Sequence, residues 1–311
     1  MSKIEFTDLQ SIRKLLGPEI EILKHLPGGN SKIYLIETEE RIVVAKKYKG
    51  DINRRTESMN REIKALNFLR MKNVLLVPEL LDYAQDDFIV IMEYVEGVHP
   101  EPNSQSIKEI INFLKLLRVV YDEDSSFSKA IDGIEMTSDL LDQIQRRLSI
   151  LEIQMKRNRL IVEAQKSFKQ LNTLNFTTKI SSKTYSVSDL GIHNMLQNGN
   201  TIRFLDLEFF GSDSPVKVIG DFLLHPRNTF PGNLKLELLA DLTSFYKIPQ
   251  SAIEEYLPLA ALKWALIVMR RIVGDKDLST ENSFIEAETL ALNYIVMSRC
   301  NGEDLLSRTV Y

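Results

Sequence analysis

The spacing of hydrophobic positions changes along the chain. Between residues 20 and 100, short β-branched and aromatic runs predict strands at Lys32–Glu37, Arg41–Tyr48 and Phe88–Tyr94. One stretch among them differs: Met59, Ile63, Leu66 and Leu69 recur at helical intervals and predict a helix over Arg54–Leu69. From about residue 104 helical spacing dominates. Ile107, Ile110, Ile111, Leu114 and Leu117 form one stripe over Ser104–Val120, and Leu140–Leu171, Leu234–Tyr246, Ala252–Val273 and Ser283–Ser298 read the same way. A short β island, about residues 184–210, interrupts this half. The pattern predicts an α+β protein with a small strand-rich domain, 1–97, and a larger mostly helical domain, 98–311. The boundary is expected at Glu96-Gly97-Val98, after which Pro100 and Pro102 keep the chain extended.

Composition narrows the function classes. With 44% hydrophobic and 26% charged residues the chain can bury a core, which excludes disorder. Its 39 basic and 43 acidic side chains give a net charge of −4 and are spread evenly, so nucleic acid is not expected as a partner. The single cysteine, Cys300, excludes an internal disulfide and a cysteine-cluster metal site. With no apolar leader in MSKIEFTDLQ, this suggests the cytoplasm. The longest apolar stretch, Tyr256–Met269, is interrupted by Lys263 and is shorter than the ~20 residues a membrane span needs. It is expected to be a buried helix, and no membrane association is expected.

The chemistry concentrates in residues 186–211, SVSDLGIHNMLQNGNTIRFLDLEFFG. Asn198-Gly199 between two apolar-patterned runs predicts a two-residue hairpin turn. That turn sets a register with Gln197 opposite Asn200, Met195 opposite Ile202, Asn194 opposite Arg203 and Asp206 opposite Gly191. Asp189, Asn194 and Asp206 then converge at the open end of the hairpin. Two carboxylates and a carboxamide supply hard oxygen ligands suited to Mg²⁺. Alternatively, one carboxylate can orient or deprotonate a hydroxyl nucleophile.

Asp189-x-x-x-x-Asn194 followed by Phe204-Leu205-Asp206 resembles the catalytic loop and metal-binding Asp of the protein-kinase-like fold. The wording Ser188-Asp189-Leu190-Gly191-Ile192-His193-Asn194, then Leu205-Asp206-Leu207-Glu208, is most similar to the aminoglycoside phosphotransferase family, which also contains choline and other small-molecule kinases. The resemblance implies a bilobal fold with a nucleotide-binding N-lobe. It implies Asp189 as catalytic base, Asn194 and Asp206 as Mg²⁺ ligands, and Asp221 as a buried brace of the catalytic loop. An N-cap role for Asp221 is the alternative. One departure is Val187, where kinases carry His two residues before the base.

If the hairpin is a catalytic loop, the strand-rich domain must supply the nucleotide contacts. Gly28, Gly29, Asn30 and Ser31 join two strands and form a candidate phosphate loop, though a plain hairpin turn fits equally. Lys46 and Lys47 point to opposite faces of one strand. The protein-kinase pattern Val-Ala-x-Lys selects Lys47, whereas the family resemblance, with Lys-x-Tyr, favours Lys46. Glu62 on the predicted helix would partner the chosen lysine; Arg61-Glu62 as plain surface charge is the alternative. The run Ile89–Gly97 resembles the kinase hinge, in which the carbonyl of Glu93 and the N–H of Val95 read the adenine edge.

Together these features imply ATP-dependent transfer of a phosphoryl group to a small hydroxylated metabolite, with ATP and Mg²⁺ required and GTP left open. Candidate acceptor contacts are His225, Arg227, Lys263, Trp264, Arg270 and Arg271. Val187 supports the rival expectation, a catalytically silent kinase-like scaffold that binds nucleotide or a partner.

Overall fold

The computed structural model describes residues 4–26, 29, 31–156, 158–174, 182–274 and 281–310. The elements run α1 (Phe6–Leu16), β1 (Ile20–Leu26), β2 (Ser31–Thr38), β3 (Ile42–Tyr48), α2 (Ile52–Met71), β4 (Leu80–Ala84) and β5 (Ile89–Glu93), then α3 (Ser104–Glu123), α4 (Thr137–Gln154) and α5 (Arg159–Leu171). After β6 (Thr184–Ser186), a 3₁₀ turn (Ile192–Asn194), β7 (Met195–Asn198), β8 (Thr201–Phe204) and β9 (Gly211–Asp213) come α6 (Pro215–Leu224), α7 (Gly232–Tyr246), α8 (Gln250–Gly274), α9 (Glu281–Met297) and α10 (Gly302–Val310). The chain divides into two compact units, Met1–Glu101 with Val187–Gly211, and Pro102–Ser186 with Ser212–Tyr311. The hairpin of β7 and β8, assigned to the helical domain by the sequence reading, thus groups with the strand-rich unit.

The first unit is built on a five-stranded antiparallel sheet in the order β1-β2-β3-β5-β4. Strand alternation sends Val43 and Ala45 of β3 to one face, where they join Tyr34, Ile36, Ile89, Ile91 and Ile12 of α1 in a core. Lys47 shares that face. Its Nζ lies 2.6 Å from Asp8 of α1, whose buried carboxylate also accepts from Lys32 and Tyr34. Those donors outweigh burial and hold the Asp8 carboxyl below its usual range. Lys46 lies on the opposite face, toward α2.

Several hydrogen bonds stitch the hairpin to this unit, among them a 2.7 Å bond from the Phe204 N–H to the Leu76 carbonyl. Arg203 of β8 binds Glu93 at the end of β5 and the carbonyl of Val77. The backbones of Val98 and Gln197 exchange two hydrogen bonds, of 3.1 and 2.7 Å. The ring of His99 hydrogen-bonds the Met195 carbonyl at 3.0 Å. Gly97 is required here, since a Cβ would stand 2.7 Å from the Gln197 carbonyl oxygen.

The second unit is mainly helical. Asn103 and Ser106 form a reciprocal capping box at the start of α3. The helix expected over Leu140–Leu171 is two, because Asn158 turns the chain and caps α5 by accepting from the Leu160 N–H. The apolar stretch Tyr256–Met269 lies within α8 and is largely buried. Around it sits an ionic network: Lys217 bridges Asp213 at 2.8 Å and Asp221 at 3.3 Å, and Lys263 stands 3.6 Å from Asp221. Asp221 also accepts from the Tyr256 hydroxyl. It lies within α6, whose N-cap is Ser214, so the N-cap alternative for Asp221 does not hold. Of the candidate acceptor contacts, Lys263 and His225 are buried, Trp264 packs edge-on against His225, and Arg270 and Arg271 are exposed. No described helix is long and apolar enough to cross a membrane.

Candidate active site

The site grows from β3, α2 and the hairpin, all within the first unit. Lys46 is 4% exposed, and a buried ammonium must be paired. Its Nζ donates to Glu62 Oε2 at 2.6 Å and Asp206 Oδ1 at 2.8 Å, with Glu208 3.7 Å away. Burial opposes the charge, but Asp206, then Glu62, outweigh it and hold the lysine well above its usual pKa. Lys47 is absent from this cluster because its face of the sheet is occupied by α1 and Asp8.

Glu62 is 1% exposed, so it is not surface charge. Oε2 accepts from both Lys46 and the Tyr48 hydroxyl, and Oε1 accepts from the Leu207 N–H at 3.1 Å. It therefore ties β3 and α2 to the turn that follows β8. Asp206 sits in that turn with a left-handed φ of +61°, a conformation that Asp tolerates better than most residues and that aims its half-buried carboxylate at Lys46.

The hairpin register differs from the expected one. Asn198 pairs with Thr201, Gln197 with Ile202, and Met195 with Phe204. The turn is therefore Gly199-Asn200, with Gly199 at φ +58°, rather than Asn198-Gly199. The Leu205 N–H donates to the Asn194 carbonyl, so continuing that register sets Asp206 across from His193 instead of Gly191. Asn194 and Asp206 still lie at the open end of the ribbon.

Asp189 is half-buried in a tight turn, its N–H bonded to the Val187 carbonyl at 2.8 Å. Ser188 adopts φ +64°, and its hydroxyl donates to the Phe209 carbonyl. That bond ties the loop to the segment after Asp206, beside the position where kinases carry His and this chain carries a buried Val187. His193 is exposed, with Nε2 3.6 Å from Asp189 Oδ2. Asn194 Nδ2 donates to the Asp189 carbonyl. This orients the amide so that Oδ1, which takes no hydrogen bond among the described residues, remains for a ligand. Separately, carboxylate oxygens of Glu62, Asp206 and Glu208 lie within 4.8 Å of one another, an all-oxygen set whose chemistry fits a hard divalent cation such as Mg²⁺.

At the end of β5 the Glu93 side chain is committed to Arg203 and to the Glu79 N–H, which outweigh burial and hold its carboxyl below the usual range. The Val95 N–H makes no hydrogen bond among the described residues. In the candidate phosphate loop, Gly28 and Asn30 lie outside the described residues; a Cβ on Gly29 would meet nothing within 4 Å, and the buried Ser31 hydroxyl has no partner among the described residues.

No family model and no curated protein sequence matches the chain. Solved structures do. The chain superposes on the gentamicin–APH(2″)-IIa complex with a TM-score of 0.64 at 18% identity, over 98% of this chain and 99% of that one. For the choline kinase LicA from Streptococcus pneumoniae the values are 0.65 and 15%, over 93% and 99%. For the ADP-bound aminoglycoside phosphotransferase APH(2″)-Ib they are 0.61 and 19%, over 94% and 98%. This chain has the protein-kinase-like fold of the aminoglycoside phosphotransferases and choline kinases.

On that kinase-like fold the structure gathers Lys46, Glu62 and Asp206 into direct contact and puts Asn194 beside Asp189. Two members of the cluster were not singled out in sequence. Tyr48 is two residues from Lys46 and so on its face of β3, a parity that marks it. Glu208 follows Asp206 by two residues and is buried, and the Asp-Leu-Glu spacing was its only signal.

Proposed function

We propose that this protein is an ATP-dependent phosphotransferase that moves the γ-phosphoryl group to a hydroxyl of a small molecule. The observation that carries the reading is the position of Lys46 Nζ, 2.6 Å from Glu62 on one side and 2.8 Å from Asp206 on the other. A buried lysine held by a helix glutamate, within reach of a carboxylate beside an all-oxygen donor set, suits phosphate binding and charge neutralisation. Neighbouring structures of the same fold in complex with ADP and with gentamicin, and a choline kinase among them, support the same chemistry.

In this reading the Glu93 carbonyl and the Val95 N–H receive the adenine edge, and the Gly28, Gly29, Asn30 and Ser31 loop covers the phosphates. Lys46 binds the α- and β-phosphate oxygens. Asn194, Asp206 and Glu208 would hold Mg²⁺, which would supply neutralisation of charge on the phosphates. Asp189 accepts the proton of the acceptor hydroxyl as its oxygen bonds to the γ-phosphorus, and the bond to the β–γ bridging oxygen breaks to release ADP. The Ser188–Phe209 hydrogen bond supports the loop in the absence of the usual His, which favours an active site over a silent scaffold.

The test is a screen of sugars, amino alcohols and aminoglycosides with labelled ATP and Mg²⁺. Acceptor-dependent phosphorylation by the wild type, lost in Asp189→Asn, is expected. Equal background rates in the two proteins across the screen would favour the scaffold.

A further inference from the structure

Tyr48 touches both members of the Lys46–Glu62 pair. Its hydroxyl donates to Glu62 Oε2, the oxygen that also receives Lys46, and the Lys46 ammonium lies 5.0 Å from its ring centroid. Tyr48 and Lys46 are two apart on β3 and therefore share a face, so the strand delivers both donors to one carboxylate oxygen. The other oxygen is anchored by the Leu207 N–H. Glu62 is thus fixed at both oxygens by groups other than the lysine.

We propose that Tyr48 is a positioning residue for nucleotide binding. Its hydroxyl holds the Glu62 carboxylate in place and its ring floors the ammonium, so that Lys46 is presented in one orientation to the phosphates. A lysine bound to a carboxylate free to rotate would sample several positions, and orientation is most of what this chemistry asks of the protein. Burial, together with Glu62, raises the tyrosine far above its usual pKa, so the hydroxyl remains a donor at every working pH. This inference rests on the phosphotransferase reading.

The experiment is calorimetric titration with MgADP, which needs no knowledge of the acceptor. Tyr48→Phe keeps the ring and removes only the hydroxyl. It should weaken MgADP binding about tenfold, the scale of one hydrogen bond to a charged group. Placed in a Glu62→Gln background, the same change should weaken binding less than about twofold, because Tyr48 acts through Glu62. Tyr48→Phe binding MgADP as tightly as wild type, or an effect undiminished in Glu62→Gln, would overturn the proposal. Should Tyr48→Phe not fold, Tyr48→Met carries the same comparison, and failure of both to fold would assign Tyr48 a structural role instead. A wild type that binds no MgADP would instead overturn the phosphotransferase reading itself.

Discussion

Arg203 grips Glu93 with two hydrogen bonds, of 2.6 and 3.2 Å, and so joins the hairpin that carries Asp206 to the strand that leads into the candidate adenine hinge. One guanidinium also reaches the Val77 carbonyl, making Arg203 a three-way clamp between β8, β5 and the segment before β4. Lysine could not reproduce that fork.

Arg203→Met should destabilise the protein by about 1 kcal/mol, a partly exposed pair losing its geometry, as read from urea unfolding. The pH dependence has a defined sign. The folded-state pKa of Glu93 lies below the ordinary value of 4.5, so the unfolded chain binds the extra proton. The pair's contribution is present above pH 4.5 and is lost as pH falls through the lowered pKa. Arg203→Met should therefore flatten the stability curve below about pH 4.5, and an unchanged acid limb would refute the assignment.

The two adjacent lysines should separate cleanly. Lys46→Met removes the cation shared by Glu62, Asp206 and Glu208 and should lower turnover by at least ~10²-fold. Lys47→Met leaves Asp8 with Lys32 and Tyr34, and should cost about 1–2 kcal/mol of stability while leaving MgADP affinity within about twofold. The reverse pattern in paired kinetic and unfolding measurements would exchange their roles.

Asp189→Asn should lower the acceptor-dependent rate by ~10²–10⁴-fold while MgADP binding stays near wild type, since in the proposed reaction the side chain takes the acceptor proton. Chelation of divalent cations should abolish turnover of the wild type, and Mg²⁺ should restore it. Retained turnover after exhaustive chelation counts against the role given to Asn194, Asp206 and Glu208.

Gly97→Ala should be costly for a steric reason. Its Cβ would lie 2.7 Å from the Gln197 carbonyl oxygen, so the paired backbones of Val98 and Gln197 must part. A loss of about 1–3 kcal/mol is expected, with faster hydrogen exchange at the Gln197 amide as the local signature.

How far the sequence reveals this arrangement depends on the length scale. That Asn194 and Asp206 lie at a hairpin end, with Asn194 bonded to the Asp189 carbonyl, follows from local pattern, because turn and strand parity act over a few residues. The register was displaced because Asn198-Gly199 and Gly199-Asn200 are both plausible turn centres, and only the strand pairing distinguishes them. The choice between Lys46 and Lys47 needs knowledge of what covers each face of the sheet. That cover is α1, outside the stretch whose pattern was read, with Asp8 as its decisive residue. Tyr48 shares the face of Lys46 by strand parity, but Glu208 joins the cluster only through its long-range approach to Lys46, and no periodicity reports such a contact.

Asp206 accepts from the Lys46 ammonium at 2.8 Å, so any divalent ion reaching that carboxylate competes with Lys46 for it. Displacing the lysine frees a positive charge within the same few ångströms, where an incoming polyphosphate is the natural recipient. Ion and nucleotide affinities are then thermodynamically reciprocal, each tightening the other by the same factor.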